Sequence, residues 1–306
     1  MSTQAAPSST PAKTVSDHHE IKVWIDGELL PKSEAKISVF DHGLLYGDGV
    51  FEGIRAYNGK ILEEEEHLLR LYDSARSIRL EIPYSKQELS RVMADCMEAN
   101  GLAGGDCYIR LVVTRGVGDL GLDPRKCPRA GVICIADNIA LYPQEMYDSG
   151  LEIITASHCK NHPNATPPRV KSLNYLNSIL GKIEAVDAGV LEAVMLNHLG
   201  FVAECTGDNL FIVKNNVILT PPAEAGILEG ITRNVVMRLC KEHGLDCRER
   251  NLVRHDLYTC DEMFLTGTAA EVIGVVKIDG RTIGDGQPGS ITRKLKDAFY
   301  AFARAG

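Results

Sequence analysis

The sequence has little of what nucleic-acid-binding, membrane-spanning and disulfide-linked proteins require. Its 306 residues carry 33 Lys and Arg against 41 Asp and Glu, a net charge of -8, and no basic stripe that would follow a phosphate backbone. No apolar run approaches the length of a membrane span. The nine cysteines form no Cys-x-x-Cys pair, which is typical of reduced thiols rather than of disulfides or a zinc ribbon. We therefore expect a cytoplasmic protein that binds neither nucleic acid nor membrane.

Motifs of several common catalytic chemistries are also missing. The sequence has neither a Gly-x-Ser-x-Gly nucleophile elbow nor a Gly-Lys-Ser/Thr phosphate loop. His158 and His162 stand four residues apart, but the prolines that follow predict a loop and no carboxylate accompanies them, so we expect no metal. Residues 116–121 spell Gly-x-Gly-x-x-Gly after a predicted strand. Prolines follow there too, and they would break the helix that a dinucleotide site needs.

The composition is that of a globular protein, with 44% hydrophobic and 24% charged residues. Residues 1–18 are rich in Ser, Thr, Ala and Pro and have no apolar block like that of a signal peptide, so we expect a disordered tail there. We expect a small N-terminal domain over 19–136, a linker over 137–150 and a larger C-terminal domain over 151–306.

Hydrophobic periodicity predicts a mixture of helices and short strands. The glycine-rich residues 41–55 fit turns between strands or a loop that lets the backbone approach a ligand. Helices are expected over 62–79, 87–100, 172–189, 231–243 and 291–304, and strands over 21–25, 28–30, 37–40, 108–114, 132–136, 192–197, 209–213, 217–219, 262–266 and 272–278.

Residues 169–209 contain the side chains with the clearest chemical meaning. Lys171 precedes a predicted helix and Tyr175 lies in its first turn, so the amine and the phenol can share one site. A predicted hairpin follows, and its far end can carry Glu204 back towards the lysine. Pyridoxal phosphate requires a lysine for a Schiff base, a phenol for the ring oxygen and a carboxylate that keeps the ring nitrogen protonated. Judged from spacing alone, structural roles explain these residues at least as well as catalytic roles do, and both interpretations stay open.

Two further features would suit an anionic ligand. Residues 230–232 open a predicted helix whose free amides could hold a phosphate, although capping explains Gly and Thr there about as well. Arg70 lies off the apolar face of its predicted helix, beside Asp73 and Ser74, which is typical of a solvated arginine.

Four motifs resemble those of class IV aminotransferases and follow one another along the chain as they do in that family. Class IV aminotransferases are fold-type IV pyridoxal phosphate enzymes. The closest resemblance is to branched-chain amino acid aminotransferases, and it extends from about Ile21 to about Phe302. The motifs are Lys171-Ser-Leu-Asn-Tyr175, Glu204-x-Thr-Gly-Asp-Asn-Leu-Phe, Leu228-Glu-Gly-Ile-Thr-Arg233 and Thr266-Gly-Thr-Ala-Ala-Glu271.

The resemblance implies an α/β fold of the α+β type, in which a small N-terminal α/β domain precedes a larger domain with a pseudo-barrel sheet. It also implies pyridoxal 5'-phosphate as cofactor and a homodimer or a larger dimer-based assembly. By resemblance Lys171 is catalytic. The implied cofactor-binding residues are Arg70, Lys171, Tyr175, Glu204, Leu228, Gly230, Ile231, Thr232 and Thr268. The implied substrate residues are Tyr46 (from the partner subunit), Phe51, Tyr108, Arg110, Tyr142, Thr268 and Ala269.

The function that this resemblance implies is a ping-pong transfer of the amino group of leucine, isoleucine or valine to 2-oxoglutarate. A D-amino acid or (R)-amine transaminase of the same fold is the alternative, followed by an aminodeoxychorismate lyase. A protein of another class, which binds the cofactor without turnover, is disfavoured because both Lys171 and Glu204 are present.

Overall fold

The computed structural model describes residues 20–305, so the tail predicted over 1–18 lies outside the described range. The described strands form two sheets, one within residues 22–137 and the other within residues 151–282. The predicted domain boundaries, which fall between these sheets, stay a prediction.

The first sheet is antiparallel throughout and has the order β2-β1-β6-β5-β3-β4. Its strands are β1 (Lys22–Ile25), β2 (Glu28–Pro31), β3 (Gly49–Tyr57), β4 (Lys60–Ile61), β5 (Cys107–Thr114) and β6 (Gly131–Asp137). The helices of this half are α1 (His42–Tyr46), α2 (Glu64–Ser77) and α3 (Lys86–Ala99). The apolar faces of α2 and α3 bury Leu71 and Leu89 against Ile54 and Ile109 of the sheet, which forms the first core.

The second sheet is mixed and has the order β12-β11-β10-β13-β14-β7-β8-β9, with β15 paired to β14. Its strands are β7 (Leu151–Thr155), β8 (Glu192–Leu196), β9 (Val202–Cys205), β10 (Asn209–Lys214), β11 (Val217–Thr220), β12 (Cys247–Glu249), β13 (Glu262–Gly267), β14 (Glu271–Ile278) and β15 (Arg281–Thr282). Because β9 at one end of this order also contacts β10, the sheet curls on itself.

Five helices accompany the second sheet: α4 (Met146–Ser149), α5 (Leu176–Asp187), α6 (Ile231–Glu242), α7 (Arg254–Thr259) and α8 (Ser290–Ala305). Helices α6 and α8 cover one face, where Phe299 joins the stacked rings of Phe211 and Phe264, whose centres are 4.9 Å apart. The other face of the sheet encloses a second apolar cluster that includes Ile153 and Leu265.

One predicted strand is wrong. Residues 37–40 form no strand, and Ile37, Val39 and Phe40 are exposed, because no neighbouring strand pairs with this segment in the described structure.

Several elements were missed. The longest is β3, a nine-residue strand whose glycines fitted turns at least as well. The other missed elements are short, namely the strands β4, β7, β12 and β15 and the helices α1, α4 and α7. The remaining predicted helices and strands are present within a few residues of the expected bounds.

The segment before α5 joins the two halves. Ser172 forms an isolated bridge with Val50, and the Phe51 amide donates to the Lys171 carbonyl oxygen at 3.0 Å. Residues 171–173 therefore lie against strand β3 of the first sheet, although they belong in sequence to the second half.

Candidate active site

A cavity lies between α2 and the curled second sheet. Its wall is formed by Arg70 and by residues from five segments, 160–161, 166–178, 204–209, 228–232 and 266–268. All four sequence motifs that pointed to a site thus contribute residues to one wall.

Lys171 is fixed by main-chain hydrogen bonds to the first half of the chain. Its carbonyl oxygen accepts from the Phe51 amide, and its own amide donates to Ser74 Oγ at 3.2 Å. The side-chain Nζ donates to Tyr175 Oη at 3.2 Å and lies 4.7 Å from the centre of the Phe51 ring. The amine and the phenol therefore enter the cavity side by side, as predicted. The predicted helix begins later than expected, at Leu176, so Tyr175 is its N-cap residue and does not lie in its first turn.

Glu204 is a buried carboxylate whose two oxygens are both occupied. Its Oε1 lies 2.7 Å from Lys160 Nζ, and its Oε2 accepts from Asn209 Nδ2 at 3.1 Å and from the Leu228 amide at 3.0 Å. The Lys160 and Glu204 side chains are each less than a tenth exposed. Three donors around a buried charge hold the carboxylate in one orientation at the cavity wall.

Arg70 is held by a carboxylate from the first sheet. Its Nε and Nη2 donate to the two oxygens of Glu52 at 2.7 Å each, and its Nη1 donates to the Glu229 carbonyl oxygen at 2.9 Å. Burial by itself would raise the pKa of Glu52, but Arg70 and His67 outweigh burial and lower this pKa to about 2. A guanidinium has five N–H donors, so two remain for a ligand in the cavity.

The N-terminus of the twelve-residue helix α6 forms another part of the wall. Gly230, Ile231 and Thr232 line the cavity there. Within residues 20–305 no side chain caps this helix, so the amides of its first turn are open to a ligand. Gly230 is required for packing, because a Cβ at this position would lie 2.0 Å from Asn209 Oδ1.

The end of β13 faces the same cavity and carries an unsatisfied polar atom. Thr266, Gly267 and Thr268 line the wall. Thr266 Oγ1 is buried and has no hydrogen-bond partner among residues 20–305. Because a buried hydroxyl without a partner is unfavourable, this part of the wall is suited to a polar ligand.

Asp208, in the turn between β9 and β10, and Glu192 of β8 are two further buried acids near the wall. Tyr142 Oη donates to Asp208 Oδ2 at 2.8 Å and lies 3.5 Å from Glu192 Oε2. Burial and the neighbouring Glu192 carboxylate raise the pKa of Asp208, while the hydrogen bond from Tyr142 opposes this shift. Asp208 lines the cavity, whereas Tyr142 is almost fully buried and approaches the cavity through Asp208.

Three predicted substrate residues form a cluster on the first sheet. Phe51 lies on β3, and Tyr108 and Arg110 lie on the adjacent β5. The Arg110 guanidinium carbon is 4.5 Å from the Phe51 ring centre and 5.4 Å from that of Tyr108. Since the Phe51 ring also contacts Lys171, the cluster adjoins the lysine end of the cavity.

Tyr46 is a predicted substrate residue that lies apart from this arrangement. It ends α1, is 37% exposed, and its Oη accepts from the Gly121 amide at 3.0 Å. It is not part of the cavity wall of its own chain.

The family model for class IV amino-transferases matches residues 49–278. The chain belongs to the class IV aminotransferases. A Methanocaldococcus jannaschii protein, provisionally named a branched-chain-amino-acid aminotransferase, is 53% identical to it over 91% of this chain and 95% of the relative.

Two solved structures give the same assignment for the fold of this class IV aminotransferase. The Escherichia coli branched-chain amino acid aminotransferase superposes with a TM-score of 0.90 at 35% identity, and the match covers 94% of this chain and 96% of that chain. The T.th. branched-chain amino acid aminotransferase, in complex with N-(5'-phosphopyridoxyl)-L-glutamate, superposes with a TM-score of 0.87 at 38% identity, with 94% and 96% coverage. The predicted family and fold class are therefore confirmed.

Most of the residues predicted for a class IV aminotransferase site lie around the cavity. Ala269 adjoins the wall next to Thr268 in the turn between β13 and β14. The predicted residues that the structure does not place in the wall itself are Tyr46, Phe51, Tyr108, Arg110, Tyr142 and Ala269. The wall includes Arg70, Lys171, Tyr175, Glu204, Leu228, Gly230, Ile231, Thr232 and Thr268.

Sequence reasoning missed the partners of the site's charged groups. Glu52 and Lys160 were not predicted, although they bind Arg70 and Glu204. A sequence signal existed for Glu52, because a lone carboxylate in the apolar strand β3 must be paired when it is buried.

Neither a metal site nor a membrane span is found in the described part of the chain. Across residues 20–305 no three His, Cys, Asp or Glu side chains are grouped so that they could hold a metal ion. His158 pairs with Glu184, and His162 packs against the ring of His198. No helix in that range combines the length and the apolarity that crossing a bilayer requires.

Proposed function

We propose that this protein is a branched-chain L-amino acid aminotransferase that moves the amino group of leucine, isoleucine or valine to 2-oxoglutarate in a ping-pong reaction. The observation that carries the proposal is the placement of Lys171, Tyr175 and Glu204 around one cavity in a chain of this family. Relatives that match over nearly the whole chain are named branched-chain amino acid aminotransferases, one of them provisionally. The nine cysteines are free thiols, which favours the cytoplasm.

The residues present fit pyridoxal phosphate. The cavity offers an amine, a phenol and a buried carboxylate at one side, and uncapped amides of α6 together with two free guanidinium N–H groups of Arg70 for an anion. The unpartnered hydroxyl of Thr266 adds a polar group that a ligand can satisfy. Lys171, Tyr175 and Glu204 would hold the ring, and Arg70, Ile231, Thr232 and Thr268 would hold the phosphate.

Each chain residue has a task that follows from its position. Pyridoxal phosphate, when bound, supplies an electron sink that stabilises negative charge at the amino acid Cα. The Lys171 amine carries a proton to and from that carbon as general base and acid. Tyr175 positions this amine through the 3.2 Å hydrogen bond. Glu204, fixed by three donors, would hold the ring nitrogen and keep it protonated.

The aromatic cluster of the first sheet suits both substrates of this reaction. Phe51 and Tyr108 offer apolar surface for a branched side chain. Arg110, whose guanidinium lies over both rings, offers a cation for the second carboxylate of glutamate. The complex of the T.th. relative with a phosphopyridoxyl derivative of L-glutamate supports glutamate as the amino donor or product.

We also propose that the active unit is a homodimer. Apolar side chains near Tyr46 are exposed, namely Val39, Leu44, Leu120 and Leu122. A second copy that covered them could bring its Tyr46 to this cavity, which explains why Tyr46 lies away from the wall of its own chain. Sedimentation velocity that gave a single species of the chain mass in active enzyme would overturn this part of the proposal.

Single-turnover spectroscopy tests the activity. The purified protein should absorb visible light through a cofactor bound to Lys171, and L-leucine should bleach this absorbance while D-alanine leaves it unchanged. Lys171→Ala should remove the covalent absorbance and lower kcat by about 1,000-fold or more, because the proton carrier is lost. If D-alanine proves the better donor, the protein is instead a D-amino acid transaminase of the same fold.

A further inference from the structure

Glu271 ends the turn between β13 and β14 in an unusual backbone conformation. Gly267 pairs with Glu271 across this hairpin, and Thr268, Ala269 and Ala270 form the loop. The φ angle of Glu271 is +59°, in the left-handed region that favours glycine. Hairpin loops commonly end on such a residue, and glycine is the usual choice there. A glutamate at this position requires a compensating interaction.

The compensating interaction is a carboxylate clamp formed by three side chains. Tyr57 Oη donates to Glu271 Oε1 at 2.6 Å, and Tyr300 Oη donates to Oε2 at 2.6 Å. Arg55 Nη2 lies 3.3 Å from Oε1. Burial and the charge of Glu271 raise the pKa of both tyrosines, so their hydroxyls stay protonated donors.

The clamp joins three distant parts of the chain behind the cavity wall. Arg55 and Tyr57 belong to β3 of the first sheet, Tyr300 belongs to α8, and Glu271 begins β14. Thr268, three residues before Glu271, lines the active-site cavity on one side. On the other side Thr268 lines a small cavity whose wall also includes Arg55 and Tyr57. The turn therefore lies between the ligand site and the clamp.

We propose that Glu271 is a positioning residue, which fixes the Thr268–Ala270 turn so that its polar groups meet the cofactor phosphate and the substrate carboxylate. The inference rests on the proposed function. The hydroxyls of Tyr57 and Tyr300 hold the carboxylate of Glu271 from two directions, and the carboxylate in turn holds the left-handed backbone that closes the loop. Without the clamp the loop relaxes, and ligand groups lose aligned partners.

The opposite end of β14 provides a matched control. Asp279 also has a left-handed φ of +47°, and its Oδ2 accepts from Tyr258 Oη at 2.7 Å. Thr155 donates to the same carboxylate through its hydroxyl and its amide. Asp279 is therefore an acidic residue held by a tyrosine at a hairpin turn, but it is not part of the cavity wall.

The experiment compares the two ends of the strand. Apo forms of wild type, Tyr300→Phe, Glu271→Gln, Tyr258→Phe and Asp279→Asn are titrated with pyridoxal phosphate, and Tm is measured for each. Tyr300→Phe and Glu271→Gln should raise the Kd for pyridoxal phosphate about 10-fold, the scale of one hydrogen bond to a charged group. Tyr258→Phe and Asp279→Asn should lower Tm as much as the clamp variants do and leave this Kd within about twofold of wild type.

Glu271→Gly separates the carboxylate from the backbone strain. Glycine accepts the left-handed conformation without strain, so a loss of affinity in this variant reports the missing carboxylate alone, and it should still bind pyridoxal phosphate about 10-fold more weakly. If the wild type binds pyridoxal phosphate and the three clamp variants match its Kd, the inference is overturned and the proposed function stands. An equal rise in Kd for the Tyr258 and Asp279 variants would overturn it too. If the wild type does not bind pyridoxal phosphate, the proposed function fails and the inference fails with it.

Discussion

Two buried carboxylates, one in each half of the molecule, are each held by a cation at the active-site cavity. Glu52 in the first sheet accepts from Arg70 twice and from His67 once. Glu204 in the second sheet accepts from Lys160, Asn209 and the Leu228 amide. Glu204 lines the cavity, whereas Glu52 is completely enclosed by protein.

The difference shows that burial and pairing alone do not identify a functional acid. In the first pair the carboxylate of Glu52 is enclosed and only the guanidinium of Arg70 lines the cavity. In the second pair the carboxylate of Glu204 itself lines the cavity, as does the Lys160 ammonium that pairs with it. Arg70 donates to both carboxylate oxygens of Glu52, so this acid has its hydrogen-bond partners within the protein. Lys160 makes a single contact, and Glu204 keeps a face towards the cavity.

The largest effect that separates the two acids is expected for Glu204→Gln. This change is isosteric but removes the negative charge, so kcat should fall by about 100- to 1,000-fold, the scale of one preorganised electrostatic group. Steady-state kinetics with L-leucine and 2-oxoglutarate measure the loss, and circular dichroism checks that the fold is intact. Glu52→Gln is the control, because it removes a buried charge that does not line the cavity. If Glu52→Gln lowered kcat as strongly while the fold stayed intact, the two acids would not differ in role.

The second prediction concerns stability at low pH. The pKa of Glu52 is lowered from 4.5 to about 2. The contribution of this carboxylate to the free energy of unfolding is therefore fully present above about pH 5 and is lost as the pH falls towards 2. The lowering corresponds to about 3 kcal/mol of unfolding free energy. Between pH 5 and pH 2, the free energy of unfolding measured with urea should therefore fall by about 3 kcal/mol more for wild type than for Glu52→Gln. The difference reports the whole cluster of Glu52, His67 and Arg70.

An exposed glutamate on the same helix as Arg70 gives the control for this pH series. Glu65→Gln should show the wild-type pH dependence, because Glu65 lies on the solvent face of α2. Parallel pH curves for wild type and Glu52→Gln would show that the bidentate pair does not stabilise the fold.

The two pairs also show which parts of the fold and of the site could be predicted from the sequence. Local patterns predicted α2 and the hairpin of β8 and β9, because periodicity within one segment determines them. Motif resemblance predicted Arg70 and Glu204, which both line the cavity. It did not predict Glu52 and Lys160, because each reaches its partner through tertiary folding.

Predictions failed where an element depends on a neighbour. Residues 37–40 alternate like a strand but find no partner strand in the described structure, and their apolar side chains are exposed. β7 was missed although it is a central strand. Five residues are too few to show a hydrophobic periodicity, and its parallel pairing with β8 and β14 joins segments that are distant in sequence. The clamp of Glu271 is a further case, since Tyr57 and Tyr300 come from opposite ends of the chain.

The third and smallest effect is expected at Lys160. Lys160→Met keeps the length of the side chain but leaves Glu204 without its cation, so the carboxylate loses one of three contacts that orient it. We expect kcat to fall about 10-fold, the scale of one charged hydrogen bond. Lys160→Arg restores the charge and should bring kcat back to within about threefold of wild type. Equal kcat values for wild type and Lys160→Met would show that Asn209 and the Leu228 amide suffice to orient Glu204. Glu204 would then not need its cation, in contrast to Glu52, which is held bidentately by Arg70.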